Sequence, residues 1–315
     1  MQVVGDKILV LGTGGTIAGR AAEAADNVGY TAAQVSVHDL LRPLLAHAGL
    51  TDITTESEQV AQVDSKDMDA DIWRTLAARC RRALTDPAVR GVVITHGTDT
   101  AEETAWFLHS VLPVGKPVVL TCAMRPATAL TPDGPQNLLD AIAVAADAGS
   151  RGVLLVASGE IHTAQAVSKV HPYRVQAFAS EEGGPCGWVE EGSVRWARAE
   201  AGAPLQPGAG PRESAGAWPW VELLTSAAAS DGRVVDLLVD AGVQGLVVAC
   251  TGNGTLHVRL EERLLQAAAR GVPVAVASRC RAGRLVGAGD PRFVRFAGLS
   301  PVKARISLAL SLLKA

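Results

Sequence analysis

The sequence KILVLGTGGTIAG at residues 7–19 decides the fold of the N-terminal part of the chain. Its mainly apolar start, residues 7–11, has the composition of a buried β-strand. A glycine-rich turn and the start of a helical segment follow, which is the order found at strand ends in open α/β sheets. Ligands bind at such ends, and backbone N–H groups at a helix start attract anions. The stretch therefore predicts an α/β domain with a ligand site at this turn.

The glycine-rich turn does not fit either nucleotide-binding pattern. The dinucleotide fingerprint needs a small residue at its third position, where this sequence has Ile17. A phosphate-binding loop would need Lys and then Ser or Thr at the positions that Arg20 and Ala21 occupy. What remains is a flexible turn that presents two hydroxyl groups, those of Thr13 and Thr16, at the end of a strand.

Short β-rich runs alternate with helical patterns along the chain, which favours a mainly parallel sheet with helical crossovers. The predicted strands are at residues 7–11, 91–95, 117–121, 152–157, 245–250 and 272–277. The clearest predicted helices are at residues 72–84 and 136–148. Ala, Gly and Pro replace this periodicity at residues 199–216, which are the predicted linker. We expect a larger N-terminal three-layer α/β domain at residues 1–198 and a smaller C-terminal α/β domain at residues 217–315.

The composition indicates a protein that binds a small molecule. A net charge of −3 over 315 residues offers no clustered basic surface for nucleic acid. The N-terminus has no signal-peptide pattern and no run reaches the roughly 18 apolar residues of a membrane span, so we expect a cytoplasmic protein without membrane contact. The five cysteines are widely spaced and predict reduced thiols.

No cofactor or metal is expected from the sequence. The acidic run DMDAD at residues 67–71 has Ile72 and Ala78 where a calcium loop needs Gly and Glu. We interpret these acids as complementing the dipole at a helix start. The seven histidines lack paired-ligand spacing, and His96 is interpreted as a structural neighbour of a turn.

A second strand end carries hydroxyl and acidic groups in the sequence GVVITHGTDTAEET at residues 91–104. Thr98 and Asp99 follow the predicted strand and open a helix. Such residues are ordinary helix caps. A hydroxyl beside the N–H groups of a helix terminus is equally the arrangement of an oxyanion site. Both interpretations stay open at this point, although a second hydroxyl-bearing strand end favours a site.

Four segments resemble the bacterial L-asparaginases, the threonine-dependent amidohydrolases. They are TGGTIAG at residues 13–19, DSKDM at 64–68, ITHGTDTAEETAWFL at 94–108 and AMRPATALTPDGPQNL at 123–138. The similarity continues into VACTGNGTL at residues 248–256. The resemblance implies an enzyme that hydrolyses the side-chain amide of L-asparagine to L-aspartate and ammonia without a cofactor. It also implies a homotetramer, a dimer of dimers, with active sites between subunits.

The resemblance implies catalytic roles for five residues. Thr16 would be the nucleophile that forms an acyl-enzyme, and Tyr30 would help to remove its proton. Thr98, Asp99 and Lys169 would form a second cluster of hydroxyl, acid and amine. A threonine hydroxyl is a weak nucleophile and needs such a neighbouring base. Which threonine attacks first stays open, and Lys169 is alternatively a surface lysine.

The same resemblance implies substrate-binding residues. Ser65 would bind the substrate carboxylate, and Asp99 would also bind the α-ammonium group. Backbone N–H groups near Thr98 and Ala123 would form the oxyanion hole. The remaining substrate-binding positions are Gly15, Lys66, Gly97 and Asn253. Asn253 would reach the neighbouring subunit's site, and its alternative interpretation is a turn residue between glycines.

Two departures from the family pattern motivate an alternative function. Lys66 occupies a position where the family has Gln, Glu or Ser, and an ammonium there would repel the substrate's α-ammonium. Arg279, Arg281 and Arg284 occupy a segment that is acidic in the periplasmic enzymes. The alternative is an amidase of the same fold for an N-acylated or otherwise anionic amide. In a simpler interpretation, Lys66 pairs with a nearby acid such as Glu56 or Glu58 and asparaginase activity is unaffected. A binding protein without catalysis is disfavoured, because both threonine clusters are intact.

Overall fold

The computed structural model describes residues 6–45, 53–113, 115–197 and 216–313. The chain divides into two compact units, Met1–Pro211 and Arg212–Ala315. The predicted linker lies outside the described residues except for Gly216, so the exact domain boundaries stay a prediction. The first unit contains all five predicted catalytic residues, and Asn253 lies in the second.

The first unit is built on an eight-stranded sheet with the order β10-β9-β6-β5-β4-β3-β1-β2. Its strands are β1 (Lys7–Gly14), β2 (Thr54–Val63), β3 (Val89–Thr95), β4 (Val118–Thr121), β5 (Val153–Ala157), β6 (Glu160–Thr163), β9 (Gly187–Glu190) and β10 (Ser193–Trp196). The five strands from β2 to β5 run parallel, and the neighbouring pairs β5–β6, β6–β9 and β9–β10 are each antiparallel. A separate antiparallel ribbon joins β7 (Val167–Lys169) to β8 (Phe178–Ser180).

Helices cover both faces of the parallel strands. They are α1 (Val37–Leu41), α2 (Ala70–Thr85), α3 (Ala101–Val111) and α4 (Gly134–Ala146). Ile8, Val10 and Val93 pack with α1 and α4 in one core. The alternate residues Leu11 and Ile94 are fully buried as well, and period-two geometry turns them to the opposite face. The predicted three-layer α/β fold is confirmed.

The second unit has a four-stranded parallel sheet with the order β11-β12-β13-β14. Its elements are β11 (Val221–Thr225), α5 (Arg233–Asp240), β12 (Gly245–Cys250), α6 (Val258–Ala269), β13 (Val274–Ser278), β14 (Val294–Arg295) and α7 (Pro301–Leu312). Two apolar cores contain its buried residues, one with α5 and α6 and the other with α7. The predicted smaller C-terminal α/β domain is confirmed.

The acidic run before α2 lies at the start of that helix, as predicted. The Asp69 carboxylate accepts hydrogen bonds from the backbone N–H groups of Asp71 and Ile72 at 3.0 and 2.8 Å, which caps the helix. The strand predicted at 272–277 is observed at Val274–Ser278, and the helix predicted at 136–148 at Gly134–Ala146. None of the helices in the described ranges is long and apolar enough to cross a membrane.

Candidate active site

Four of the predicted site residues follow four adjacent parallel strands, at the carboxyl ends of these strands. The spatial order is β2, β1, β3, β4, so their carboxyl ends lie side by side. Ser65 follows β2, Thr16 follows β1, Thr98 follows β3 and Ala123 follows β4. Residues that are distant in sequence therefore meet because the strands are neighbours, as open α/β sheets arrange their ligand sites.

Two glycines allow the first three of these turns to touch. Gly15 has φ of +78°, and a Cβ placed on it would lie 2.2 Å from the Cα of Gly97. A Cβ on Gly97 would lie 2.4 Å from Ser65 Oγ. Both contacts are shorter than a carbon side chain permits. The glycines are required for the close approach of the backbone segments that carry Thr16, Ser65 and Thr98.

Thr16 contacts Tyr30 through its hydroxyl group. Thr16 Oγ1 and Tyr30 Oη are 2.6 Å apart, and Thr16 is buried in a short 3₁₀ turn at Thr16–Ala18. Burial raises the pKa of Tyr30, so the phenol is protonated at neutral pH. The other hydroxyl of the glycine-rich turn has a structural partner, because Thr13 Oγ1 donates to the Thr95 carbonyl at 3.0 Å.

The segment that carries Tyr30 is joined to the glycine-rich turn of Thr16 mainly by backbone bonds. Arg20 and Thr31 exchange two hydrogen bonds, from Arg20 N–H to the Thr31 carbonyl at 2.9 Å and from Thr31 N–H to the Arg20 carbonyl at 2.8 Å. Gly19 permits the Tyr30 ring to lie close, since a Cβ there would be 2.8 Å from Tyr30 Cδ2. The segment between Arg20 and Thr31 forms neither a helix nor a strand.

Thr98, Asp99 and Lys169 form the predicted second cluster. Lys169 Nζ donates to Thr98 Oγ1 at 2.8 Å and to Asp99 Oδ1 at 2.6 Å. The Lys169 side chain is 16% exposed and that of Asp99 is 55% exposed. The structure therefore brings the lysine against the hydroxyl and the acid, which does not fit its alternative interpretation as a surface residue.

Glu102 holds Lys169 in place, and the sequence interpretation missed it. Its carboxylate accepts hydrogen bonds from Lys169 N–H at 3.1 Å and from Ser168 Oγ at 3.2 Å. Glu102 lies in the first turn of α3, three residues after Asp99. An acid at a helix start is usually read as a complement to the helix dipole. Its bonds to β7 instead fix the ribbon that carries the lysine.

A buried chain of hydrogen bonds supports the turn before Thr98. Trp73 Nε1–H donates to Thr104 Oγ1 at 2.8 Å, and Thr104 Oγ1 lies 2.9 Å from His96 Nε2. His96 Nδ1 lies 2.7 Å from the Gly97 carbonyl, which only accepts hydrogen bonds, so Nδ1 carries the proton. Burial lowers the pKa of His96 to about 4. The neutral imidazole thus fixes the Gly97 carbonyl.

Ser65 is part of the same constellation. It is 2% exposed, and its Oγ accepts a hydrogen bond from Asp99 N–H at 3.2 Å. Its carbonyl accepts one from Thr100 Oγ1 at 2.7 Å. The turn after β2 is therefore joined to the turn after β3, which places the Ser65 hydroxyl beside the Thr98 cluster.

Lys66 forms an ion pair with Asp67, and both side chains are more than 60% exposed. The acids named for it from sequence have other partners, since Glu56 pairs with Lys7 and Glu58 with Arg79. The prediction that Lys66 pairs with a nearby acid is thus correct in kind, but the named partners were wrong.

The turn after β4 holds Ala123 between fixed neighbours. The Asp133 carboxylate accepts from Met124 N–H and Arg125 N–H, both at 2.9 Å. Asn137 Nδ2 donates to the Cys122 carbonyl at 2.9 Å. The predicted oxyanion donors are backbone N–H groups near Thr98 and Ala123. Within the described part of the chain, the N–H groups of these two residues have no hydrogen-bond acceptor. The same residues show no cluster of three His, Cys, Asp or Glu side chains for a metal.

Asn253 lies in the second unit, in the turn after β12. Its side-chain amide donates to the Val286 carbonyl at 3.1 Å and accepts from Val286 N–H at 2.7 Å. Arg279 of the same unit donates to the Ser226 carbonyl at 3.0 Å. Both side chains therefore make structural contacts within their own unit.

Nearly the full chain is similar to known asparaginases, both in sequence and in structure. Residues 7–201 match the asparaginase N-terminal domain, and residues 220–315 match the glutaminase/asparaginase C-terminal domain. The chain is 37% identical to L-asparaginase 2 of Escherichia coli strain K12, over 97% of this chain and 88% of that protein. It is 36% identical to a probable periplasmic L-asparaginase of Haemophilus influenzae, with 97% and 88% covered. The crystal structure of a probable cytoplasmic L-asparaginase from Campylobacter jejuni superposes with a TM-score of 0.89 at 33% identity, over 98% and 95% of the chains.

Proposed function

This chain belongs to the bacterial L-asparaginase family, and from that premise we propose how its residues hydrolyse L-asparagine to L-aspartate and ammonia. The enzyme is an amidohydrolase. The observation that carries the mechanism is that each of two neighbouring hydroxyls has a proton-transfer partner, Thr16 with Tyr30 at 2.6 Å and Thr98 with Lys169 at 2.8 Å.

Thr16 is the nucleophile in this proposal. Its Oγ1 forms a bond with the side-chain amide carbon of the substrate, and its proton passes to Tyr30 Oη. Because the phenol is already protonated, Tyr30 must release its own proton towards the leaving nitrogen as it accepts the new one. The carbon–nitrogen bond then breaks, ammonia leaves, and an ester joins the acyl group to Thr16.

Thr98 and Lys169 serve the second half of the reaction. A water molecule attacks the ester carbon and gives its proton to Thr98 Oγ1, which passes a proton to the Lys169 and Asp99 pair. As the ester bond breaks, the proton held by the Lys169 and Asp99 pair returns through Thr98 Oγ1 to Thr16 Oγ1, and L-aspartate leaves. The N–H groups of Thr98 and Ala123 stabilise the oxyanion in both halves, and losing one such donor typically costs about 10²–10³ in rate.

Ser65 and Asp99 position the substrate. The buried Ser65 hydroxyl binds the α-carboxylate, and the exposed oxygen of Asp99 binds the α-ammonium group. Gly15 and Gly97 keep the backbone near enough for both contacts. The Lys66 ammonium is engaged by Asp67, so the proposed preference for an N-acylated amide draws no support from its position.

The assembled enzyme in this proposal is a cytoplasmic homotetramer, a dimer of dimers, in which Asn253 reaches a neighbouring subunit's site. The family resemblance supports the assembly. One relative is named as cytoplasmic and another as periplasmic, so the compartment rests on the sequence expectation. Sedimentation of the purified protein tests the tetramer, and cell fractionation tests the compartment.

Ammonia release from L-asparagine, combined with trapping of the acyl-enzyme, tests the mechanism. We expect rapid turnover by the unaltered enzyme and by the control Thr75→Ala, which changes an exposed helix threonine. Thr98→Ala should form the ester on Thr16 and hydrolyse it slowly, so that intact mass spectrometry detects the adduct. Thr16→Ala should form none. An adduct on Thr98 in Thr16→Ala would reverse the two roles, and absence of L-asparagine turnover in the unaltered enzyme would refute the function.

A further inference from the structure

A cavity of about 560 Å³ opens beside Ile17, the residue that follows Thr16. None of the proposed catalytic or substrate-binding residues lines it, so it is separate from the active site. Its walls come from the nucleophile turn, from the segment of α1 and the residues around it, and from the connection between β4 and α4. Its volume lies in the usual range for small-molecule sites, roughly 300–1,000 Å³.

The lining combines an apolar surface with an excess of positive charge. The lining includes three arginines, Arg20, Arg42 and Arg125, and a single carboxylate, that of Asp39. The guanidinium group binds carboxylate and phosphate oxygens in pairs, which makes clustered arginines suited to an oxyanion. The apolar part of the lining includes Ile17, Val35, Leu40 and Leu138.

The charges of the lining are only partly satisfied by the protein. Asp39 already accepts a hydrogen bond from Ser36 Oγ at 2.8 Å, and its contact with Arg42 is long at 3.9 Å. Arg125 is held by bonds from Nη1 to the carbonyl and hydroxyl of Thr131. Across the described ranges, the Arg20 guanidinium has no ion pair or side-chain hydrogen bond. Arg20 and Arg42 are both exposed, so solvent screens their charges and their guanidinium groups are open to an added anion.

We propose that this cavity binds a small amphipathic oxyanion, a phosphate or carboxylate group on an apolar body. Arg20 and Arg42 hold the oxygens, with Arg125 contributing charge, and the body lies on Ile17, Val35 and Leu40. The start of α4 at Gly134 and Pro135 also lines the cavity, and the positive end of its dipole adds to the attraction.

A ligand at Arg20 would influence the reaction through the backbone. Arg20 exchanges two hydrogen bonds with Thr31, and Thr31 directly follows Tyr30. A bound anion that fixes Arg20 stabilises this pairing and with it the contact between Tyr30 and Thr16. The site is thus an effector site that increases kcat/KM for L-asparagine. This consequence rests on the proposed role of Thr16 and Tyr30, whereas binding itself does not.

Calorimetric titration of the full-length enzyme tests binding without using turnover. Phenyl phosphate and benzoate supply the two oxyanions on one apolar body, inorganic phosphate lacks the body, and benzyl alcohol lacks the charge. We expect one molecule of phenyl phosphate or benzoate per chain, and much weaker binding of the other two. Arg20→Gln should weaken binding about tenfold or more, because a hydrogen bond to a charged group is lost. The matched control Arg82→Gln, on the exposed face of α2, should bind normally.

Three results would overturn the binding proposal: no heat with either amphipathic anion, equal affinity for inorganic phosphate or benzyl alcohol, or unchanged affinity in Arg20→Gln. If Arg20→Gln fails to fold, Arg42→Gln provides the same comparison. Turnover of L-asparagine with saturating phenyl phosphate then tests the effector role. An unchanged kcat/KM would refute that role, and an enzyme that binds phenyl phosphate yet never hydrolyses L-asparagine would refute only the proposed function.

Discussion

Thr16 and Thr98 lie at the ends of neighbouring parallel strands, yet their partners are held in different ways. Tyr30 reaches Thr16 from an irregular segment that is joined to the glycine-rich turn by the Arg20 and Thr31 backbone pair. Lys169 reaches Thr98 from a β-ribbon that is tied to α3 through Glu102. The second partner is therefore built into regular structure, and the first is not.

This difference distinguishes a movable part of the site, the segment that carries Tyr30, from a fixed part, the cluster of Thr98, Asp99 and Lys169. Segments with few buried contacts open at low free-energy cost, and active-site lids belong to this class. We therefore expect the Tyr30 segment, rather than the ribbon that carries Lys169, to move when substrate enters. Lys169 makes three hydrogen bonds to α3 and the turn before it, so we expect its cluster to stay assembled with or without substrate.

The largest effect is expected from removing the fixed amine. Lys169→Met keeps the length of the side chain but removes its proton-transfer group, and we expect kcat to fall about 10³-fold. KM should change much less. Rapid-quench measurements should show the ester on Thr16 accumulating, because the proposed mechanism uses Lys169 only in hydrolysis of the acyl-enzyme.

Lys7→Met is the control for that variant, since Lys7 begins β1, at the end of the strand away from the site, and its side chain forms an ion pair with Glu56. Its kcat should stay close to that of the unaltered enzyme. If Lys169→Met lowered kcat less than Tyr30→Phe does, the Lys169 cluster would contribute less to the rate than the Tyr30 segment, against this prediction.

His96 makes the fixed side sensitive to acid. Burial lowers the pKa of His96 from 6.5 to about 4 in the folded protein, so between those values the unfolded chain binds more protons. The free energy of unfolding is then unaffected by this group above pH 6.5 and falls as the pH decreases towards 4. The expected loss at pH 4 is roughly 3 kcal/mol.

Urea unfolding between pH 7.5 and 4 measures this loss. His96→Gln should be less stable at pH 7.5 and should have a shallower pH dependence. His38→Gln, a change at an exposed position on α1, should keep the slope of the unaltered protein. Equal slopes in all three proteins would show that the hydrogen-bonded chain from Trp73 to Gly97 does not depend on a neutral histidine.

Removing the movable phenol should have a smaller effect than removing the lysine. Tyr30→Phe keeps the ring against Gly19 and loses the proton relay, and we expect kcat to fall about 10²-fold. Binding of the product L-aspartate, measured by calorimetry, should be nearly unchanged. Tyr173→Phe alters the other tyrosine, which is 61% exposed, and should behave as the unaltered enzyme. A large loss of L-aspartate affinity in Tyr30→Phe would mean that the segment binds substrate rather than moving a proton.

Much of the fold could be predicted because the central strands β1, β3, β4 and β5 are buried on both faces and read as continuous apolar runs. The edge strand β2 was missed, because its sequence TTESEQVAQV is polar and partly exposed. The short antiparallel strands β6, β9 and β10 carry too few residues for a periodic signal.

The candidate site also contains some residues that local sequence patterns identified and others that they did not. Thr16 and Thr98 were found because each directly follows a recognisable strand. Lys169 is 70 positions from its partner Asp99, and only the family resemblance identified it. Glu102 was not found, because its position in a helix start is equally explained by the helix dipole. Local sequence patterns identify the residues that follow a strand. Tertiary contacts between distant segments determine which other side chains contact those residues.

The smallest effect is expected at Lys66, next to Ser65 on the fixed side of the site. Asp67 raises the pKa of Lys66, so the side chain stays cationic at neutral pH, but the ion pair is exposed and screened by solvent. Lys66→Gln should therefore change kcat/KM for L-asparagine by less than about threefold, because screened surface charges contribute little. The ratio of L-asparagine to N-acetyl-L-asparagine turnover should also stay constant. If Lys66→Gln instead raised kcat/KM about tenfold or more for L-asparagine but not for N-acetyl-L-asparagine, Lys66 would repel the α-ammonium group of the substrate. The side of the site that contains Ser65 and Lys66 would then determine substrate specificity.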